Sequence, residues 1–345
     1  MKDEITEPTD LCTPSGSLNP EAVGWSRFPL HRCNLAGHRL RKKRWNYWAA
    51  QTEHHFFAAG IAQLDYASTG FCYLVDLRRK SVVERTVTRP FGRGSSLGDD
   101  VDSPASFRSR PMTISQAFEP AVPEKEIPSA TTVLVTCDRF EGGDRLSAAL
   151  RVIYPDDFET LGVVVPMDHR HFQYTSKHVA VPLAGRVRIG HREIPFEGVE
   201  AFATHDFGRG VWPRRTRWNW GAAAGYVEDA NVGLNLGDKW TDGTGATENA
   251  VFVNGRMTKI HEDLEWSYNS VNFLANWRVR APLSGDVNLL FEPIVERRAY
   301  TDVILVRSRV HQVFGIWSGT VRGEDGRTIE IPYLFGWAEE HVASW

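Results

Sequence analysis

Apolar and polar positions alternate in short runs along this chain, and residues that favour tight turns separate the runs. Ala250-Val251-Phe252-Val253 and Arg256-Met257-Thr258-Lys259-Ile260 flank Asn254-Gly255. That dipeptide suits a two-residue type I′ turn because both positions tolerate positive φ. Val187 and Ile189 face Ile194 and Phe196 across Gly190-His191 in the same manner. Gly142-Gly143 separates Thr131–Phe140 from Arg145–Tyr154, and Asp325-Gly326 separates Ser318–Arg322 from Thr328–Ile331. No segment keeps apolar residues at i, i+3, i+4 and i+7 for more than about two turns. The pattern predicts an all-β protein of many short strands, closed into barrels or barrel-like sandwiches that leave few exposed edges.

A chain of 345 residues exceeds one ordinary core and suits two domains. We place the division after Pro166–Pro182 and before the Gly190-His191 hairpin. This gives an N-terminal barrel-like domain over 1–182 and a C-terminal one over 183–345. The stretch Arg93–Pro128 is rich in Gly, Ser, Pro and Asp, and it reads as a long loop or a lid between strands.

Composition narrows the function classes. The profile is globular, with 42% hydrophobic and 24% charged residues, and the net charge of −3 exerts no general pull on nucleic acid or anionic lipid. Arg41–Trp48 interleaves basic and aromatic residues, but one such run on a mildly acidic protein does not make a nucleic-acid site. The first residues are acidic where a signal peptide needs a basic start and an apolar run. No apolar stretch approaches the roughly 18 residues of a membrane span. Cys12, Cys33, Cys72 and Cys137 are scattered without a C-x-x-C pair, as expected of reduced, buried thiols in a cytoplasmic protein. The chain has no phosphate-cradling GxxxxGK[ST] loop, no strand–GxGxxG–helix unit and no G-x-S-x-G elbow, so no cofactor is expected. Asp168-His169-Arg170-His171 and His54-His55 lack an evident third ligand, and no metal is expected either.

The chemistry-bearing residues gather in the second half. Trp212, Trp218, Trp220, Trp240, Trp266 and Trp277 fall within one short stretch of a chain that has 12 tryptophans. So many rings with few aliphatic fillers suit a lined cavity as well as a dense core. Phe202–Phe207 is an alternating strand with His205 and Asp206 on opposite faces, and Gly208 and Gly210 would allow a bulge that re-aims one of them. An acid set among tryptophans has its pKa raised by burial, which fits it for general acid work. Aromatic faces can stabilise a developing cation. Glu248, in Thr247-Glu248-Asn249, is a second acid near the same rings, and Lys177, in Gln173-Tyr174-Thr175-Ser176-Lys177-His178, is a candidate pocket cation.

The run Asp206-Phe207-Gly208-Arg209-Gly210-Val211-Trp212-Pro213, followed by Trp218-Asn219-Trp220-Gly221, resembles the core motif of the domain-of-unknown-function family numbered 2804. Three further blocks agree. They are Gly24–Arg27 with Arg41–Trp48, Gly233-Leu234-Asn235-Leu236-Gly237 with Thr247-Glu248-Asn249, and Gln312–Gly315 with Phe335–Glu339. The arrangement is more distantly similar to carotenoid hydratase and Svf1-like proteins, which implies two lipocalin-like β-barrels. It also implies either hydration or cyclisation of an isoprenoid-like substrate, or plain lipid binding. The hydratase pattern carries its acid and histidine in the order Asp-His, whereas here the order is His205-Asp206.

Two functions follow as expectations. The first is acid–base catalysis (hydration, dehydration, isomerisation or cyclisation) on an apolar, lipid- or isoprenoid-like small molecule in a Trp-lined pocket. Asp206 is then the acid, His205 its orienting partner and Glu248 a second catalytic acid. Trp212, Trp218 and Trp220 form the wall, with Arg209, Lys177, Tyr174, Asn235 and Asn249 as substrate contacts. The second is a non-catalytic carrier of the same class of ligand, with Asp206 structural.

Overall fold

The computed structural model describes residues 2–35, 37–198, 200–303 and 306–345. Among these the chain is almost entirely strand, with single 3-10 turns at Pro20–Ala22 and Pro123–Lys125. All four turns expected from sequence join antiparallel strands. Asn254 and Gly255 have φ of 49° and 78°, the left-handed pair a type I′ turn requires, and they connect Asn249–Val253 to Arg256–Ile260. Gly142-Gly143 closes Ala130–Glu141 on Asp144–Ile153.

Two large sheets result. In the first, the strands run Ser81–Pro90, Ala67–Asp76, His55–Leu64, Lys42–Gln51, Phe202–Val211, Phe172–Ile189, Asp144–Ile153, Ala130–Glu141, Met112–Glu119, Ala105–Ser109 and Ser95–Leu97. This sheet curls around a core that includes Trp48, Phe57, Phe107, Ile114, Val135, Leu150 and Val187. In the second, the order is Arg256–Ile260, Asn249–Val253, Ala230–Asp238, Arg215–Val227, Thr328–Ser344, Val306–Arg322, Val287–Val303, Trp277–Arg280 and Glu265–Ser267. Its core holds Leu234, Trp277, Leu289, Val313 and Trp317. The fold is two lipocalin-like, curled β domains.

The stretch expected as a loop or lid over 93–128 instead forms three short strands. Leu97, Ala105, Phe107, Met112 and Ile114 carry the alternate apolar positions and bury them in the first core, which outweighs the loop-like composition of the connections. Sheet membership changes between Val211 and Arg215. The expected division at 182/183 lies inside the strand Phe172–Ile189.

That strand bends where its register with Phe202–Val211 shifts between His178 and Val181, and Ala180 sits at φ 58°. A bulge of this kind redirects a strand, so 172–178 and 183–189 serve different neighbours. The first sheet then presents a second buried face. Tyr47, Ala49, Phe56 and Tyr73 point away from the first core and pack on Trp220, Ala222, Phe314 and Trp337 of the second sheet. Period two puts Trp48 and Ala50 inward and Tyr47 and Ala49 outward. Gln51 clamps the seam by donating through Nε2 to the carbonyls of Ala224 (2.7 Å) and Phe335 (3.0 Å).

Candidate functional site

The seam between the sheets is where charged side chains are buried together. Asp206 lies on Phe202–Val211 directly opposite Lys177 of Phe172–Ile189 and Tyr47 of Lys42–Gln51. The three side chains share the outward face because residues in register across a sheet point the same way. Lys177 Nζ sits 2.8 Å from Asp206 Oδ1 and 3.4 Å from Glu248 Oε2. It also lies 4.5 Å above the Trp220 ring. Thr175 Oγ1 donates to Asp206 Oδ1 (3.2 Å) and Trp45 Nε1 to Oδ2 (3.0 Å). Both oxygens of Asp206 are therefore engaged. Glu248 differs: its Oε1 is buried and has no hydrogen-bond partner among the described residues.

The second sheet supplies the other wall. Trp220 Nε1 donates to Asn235 Oδ1 (2.9 Å), and Asn235 Nδ2 donates to the Glu248 carbonyl (2.5 Å). Asn249 accepts from the Gly237 amide (2.6 Å) and donates to the Glu262 carbonyl (3.2 Å), fixing the strand end that presents Glu248. Further along the seam, Glu339 Oε1 accepts from Trp218 Nε1 (3.0 Å). Arg297 pairs with Glu84 (2.7 Å) and donates to Gln312 (3.3 Å), which also accepts from Tyr73 (2.8 Å).

Burial sets the protonation of this layer. It raises the Glu248 carboxyl, and the charge of Asp206 adds to the rise while Lys177 opposes it. Burial likewise lifts Glu339 to about 7, against the hydrogen bond from Trp218 and the charges of Arg297 and Lys177. Burial works against the Lys177 ammonium, but Asp206 and Glu248 overcome it and hold the pKa above its usual value. Lys259, beside Thr247 (2.5 Å), is pushed down to about 7 by burial, with Glu248 acting the other way. The seam thus combines a charged pair with carboxyls biased toward the protonated form, the division of roles that acid–base chemistry uses.

Ten of the 12 tryptophans divide among three places, with Trp48 in the first core and Trp25 in a separate apolar cluster. Trp266, Trp277 and Trp317 meet in the second core. Trp220 packs edge-on against Trp337 (5.1 Å) and Tyr47 (5.7 Å) beside the acids. Trp45, Trp212, Trp218, Trp240 and Trp345 form a third cluster, with Trp45–Trp212 centroids at 4.3 Å and Trp218 against His341 at 4.0 Å. Trp45, Trp218, Trp240 and Trp345 are only half-buried, so this cluster is an apolar platform that runs from the surface down to Asp206. Gly208 makes its closest element possible. A Cβ there would lie 2.6 Å from Gln173 Nε2 and 2.6 Å from the Trp45 indole. The register through His205–Val211 is continuous on both sides, so the expected bulge at Gly208 and Gly210 is absent and the glycines serve close approach instead.

Asp206, Glu248, Lys177, Trp220 and Asn235 come together as candidates from the sequence, with Trp212, Trp218 and Asn249 adjoining them. Three do not. His205 does not orient Asp206, because the regular strand sends it into the first barrel, stacked on Trp48 at 4.0 Å. Both its ring nitrogens are buried without a hydrogen-bond partner among the described residues, and burial, then His178, pushes its pKa well below the ordinary histidine value. Arg209 is a structural clamp rather than a ligand contact. It donates to the carbonyls of Gly98 (3.0 Å), Trp45 (2.7 Å) and Gly208 (2.8 Å) and to Asn46 Oδ1 (2.8 Å). Tyr174 packs 4.6 Å from His31 in a separate apolar cluster under the N-terminal segment. Trp45 and Glu339 also join this buried layer and were not assigned from sequence, although both lie within the blocks that carried the family resemblance.

Two cavities stand apart from this cluster, and neither is lined by Trp212, Trp218 or Trp220. One, of about 10 Å³, lies beside Trp48, Gln116 and His205 inside the first barrel. The other, of about 480 Å³, opens at Arg217, Phe273 and Arg309 on the second sheet.

A pair of curled β domains with a buried acid–lysine cluster in the seam defines a two-domain protein of lipocalin-like build. The chain belongs to the family described as Domain of unknown function (DUF2804), whose model matches residues 2–345. No curated protein matches the sequence. Among solved structures it is similar to a candidate AttH protein of Nitrosomonas europaea, at 10% identity and TM-score 0.50, covering 87% of this chain and 92% of that one. Kievitone hydratase from Nectria haematococca matches at 8% identity and TM-score 0.49, over 88% of this chain and 89% of that one. CghA matches at 12% identity and TM-score 0.49, over 88% of each. These likenesses concern the fold. Among the described residues no helix is long and apolar enough to cross a membrane.

Proposed function

We propose that the seam carries out acid–base catalysis on an apolar small molecule, with Glu248 rather than Asp206 as the group that exchanges a proton with substrate. The observation that carries this is the unpartnered Glu248 Oε1, buried in contact distance of a cluster in which Asp206 has no free oxygen. A protonated Glu248 can donate to a carbon–carbon double bond or to a leaving hydroxyl. Its oxygen becomes a carboxylate 3.4 Å from Lys177, so the charge it acquires is met at once. The trio Lys177, Asp206 and Glu248 then carries one net negative charge, matching the positive charge the substrate has gained. Water capture, with the excess proton of the added water returned to the Glu248 carboxylate, completes a hydration, and return of a different substrate proton to that carboxylate completes an isomerisation or a cyclisation. The half-buried platform of Trp45, Trp218 and Trp240 offers an apolar surface leading to these groups.

The carrier reading has less support. The cavity within the first barrel, about 10 Å³, holds roughly one water, and the aromatic rings of the second core are packed on one another. Native mass spectrometry of the wild type and of Glu248→Gln after incubation with a cell lipid extract separates the two. Catalysis predicts a species shifted by one water, or a chromatographically distinct isomer, from the wild type alone. The same unaltered ligand on both proteins, with no hydrated, dehydrated or isomerised species from the wild type, would make this a carrier.

A further inference from the structure

The larger cavity lies on the far side of the strand that carries Glu339. Alternation along Thr328–Ser344 turns Glu340 away from the seam and toward the second core, where Phe273 closes the floor of a cleft of about 480 Å³. That volume falls within the roughly 300–1,000 Å³ of small-molecule sites, and barrel mouths are a common place for them. Three guanidiniums, from Arg217, Arg298 and Arg309, line it with one carboxylate, Glu340, while Glu296 lies behind Arg298 and His311. Glu340 accepts from Arg217 (2.6 Å) and Tyr268, and Glu296 accepts from Arg298 (2.6 Å) and His311 (2.7 Å). Arg309 is the most loosely held of the three. Its nearest carboxylate oxygen, on Glu340, is 3.8 Å away, and among the described residues it donates no side-chain hydrogen bond. Val271, 93% exposed, and Phe273, buried and stacked flat on His311 at 4.1 Å, also line the cleft.

We propose that this cleft binds small amphiphilic carboxylates, the head group on Arg309 and the apolar body along Val271 and Phe273. A planar guanidinium with open donors takes a carboxylate through two parallel hydrogen bonds, and an exposed valine beside a buried phenylalanine gives the chain a surface to cover. The site is distinct from the acid–lysine seam and does not depend on the chemistry assigned there.

Isothermal titration calorimetry of the full chain with decanoate, decan-1-ol and inorganic phosphate tests this. Saturable one-site binding of decanoate is expected, with the alcohol and phosphate each at least about tenfold weaker. Arg309→Gln should weaken decanoate about tenfold, and Val271→Asp should do the same by placing a negative charge on the apolar wall. Arg307→Gln, an exposed arginine paired with Asp302 at 3.1 Å, should leave binding unchanged. All three positions are exposed, and unchanged melting temperatures would verify that the fold is intact. No decanoate binding, equal binding by Arg309→Gln, or phosphate or the alcohol binding as tightly as decanoate would each overturn the assignment.

Discussion

His205 and Asp206 are neighbours on one strand, yet the two sides of that strand treat a buried polar group in opposite ways. On the seam side, Asp206 meets Lys177, Thr175 and Trp45, and its burial is compensated by three contacts. On the barrel side, His205 lies flat on Trp48 with His178 edge-on at 5.1 Å, and among the described residues neither nitrogen finds a hydrogen-bond partner. Leaving a buried polar atom unpaired costs about 1–3 kcal/mol. The first barrel tolerates this beside a water-sized cavity, whereas the seam concentrates partners around every charge except Glu248 Oε1. A functional reading belongs to the side where charges are built into a network and one valence is left open.

The comparison can be broken most severely at Lys177. Lys177→Met leaves Asp206 and Glu248 buried together without a cation, and removing one member of such a pair costs about 3–5 kcal/mol. Urea unfolding should show a loss of that size, and a loss under about 1 kcal/mol would mean that the seam is wetter than its burial implies.

The next effect is a pH dependence. Glu339 titrates at about 7 in the folded chain against an ordinary 4.5, so the folded state holds the proton more tightly than the unfolded one. Its stabilising contribution is full below pH 4.5 and is lost as pH rises through about 7. Relative to Glu339→Gln, the wild type should lose up to about 3 kcal/mol across that window. Melting temperatures of both proteins at a series of pH values would show it, and parallel curves would remove Glu339 from the set of protonated acids.

Trp45→Phe keeps the ring and removes one charge-assisted hydrogen bond to Asp206, for an expected cost of about 1.5–3 kcal/mol. A crystal structure of this variant should show Asp206 still on Lys177. If Asp206 has swung away, the indole and not the lysine is its main anchor. The smallest effect is expected on the other side of the strand. His205→Phe retains stacking on Trp48 and deletes two unpartnered nitrogens, a gain offset by fitting a larger ring into a packed core, so thermal unfolding should move by less than about 1 kcal/mol in either direction. A large destabilisation would reveal partners for His205 and erase the contrast.

Much of this architecture was legible along the chain, because hairpins are local. Asn254-Gly255 and Gly142-Gly143 carry their own turn chemistry, and alternation predicted that His205 and Asp206 would face apart. Lys177, Asp206, Glu248, Trp220 and Asn235 were recognisable by residue type near a tryptophan-rich stretch. What stayed hidden was register between distant strands. Trp45 reaches Asp206 across 161 positions of sequence, and Glu339 joins the seam only because Thr328–Ser344 pairs with Arg215–Val227. The role of Gly208 was misread for the same reason: a bulge is a local inference, whereas clearance for an indole on the neighbouring strand is not. Compositional bias also misled at 93–128, where alternate apolar residues form strands inside a loop-like background.

Deuterium transfer tests the central claim most directly. Wild type and Glu248→Gln are incubated in heavy water with the same lipid extract, and the recovered apolar molecules are analysed by high-resolution mass spectrometry. Proton transfer from Glu248 predicts that the wild type places one deuterium on a substrate carbon, or releases a product lighter by one water, and that Glu248→Gln does neither. A wild type that leaves every carbon unlabelled and yields no dehydrated product, or a variant that labels or dehydrates as fast as the wild type, would contradict it.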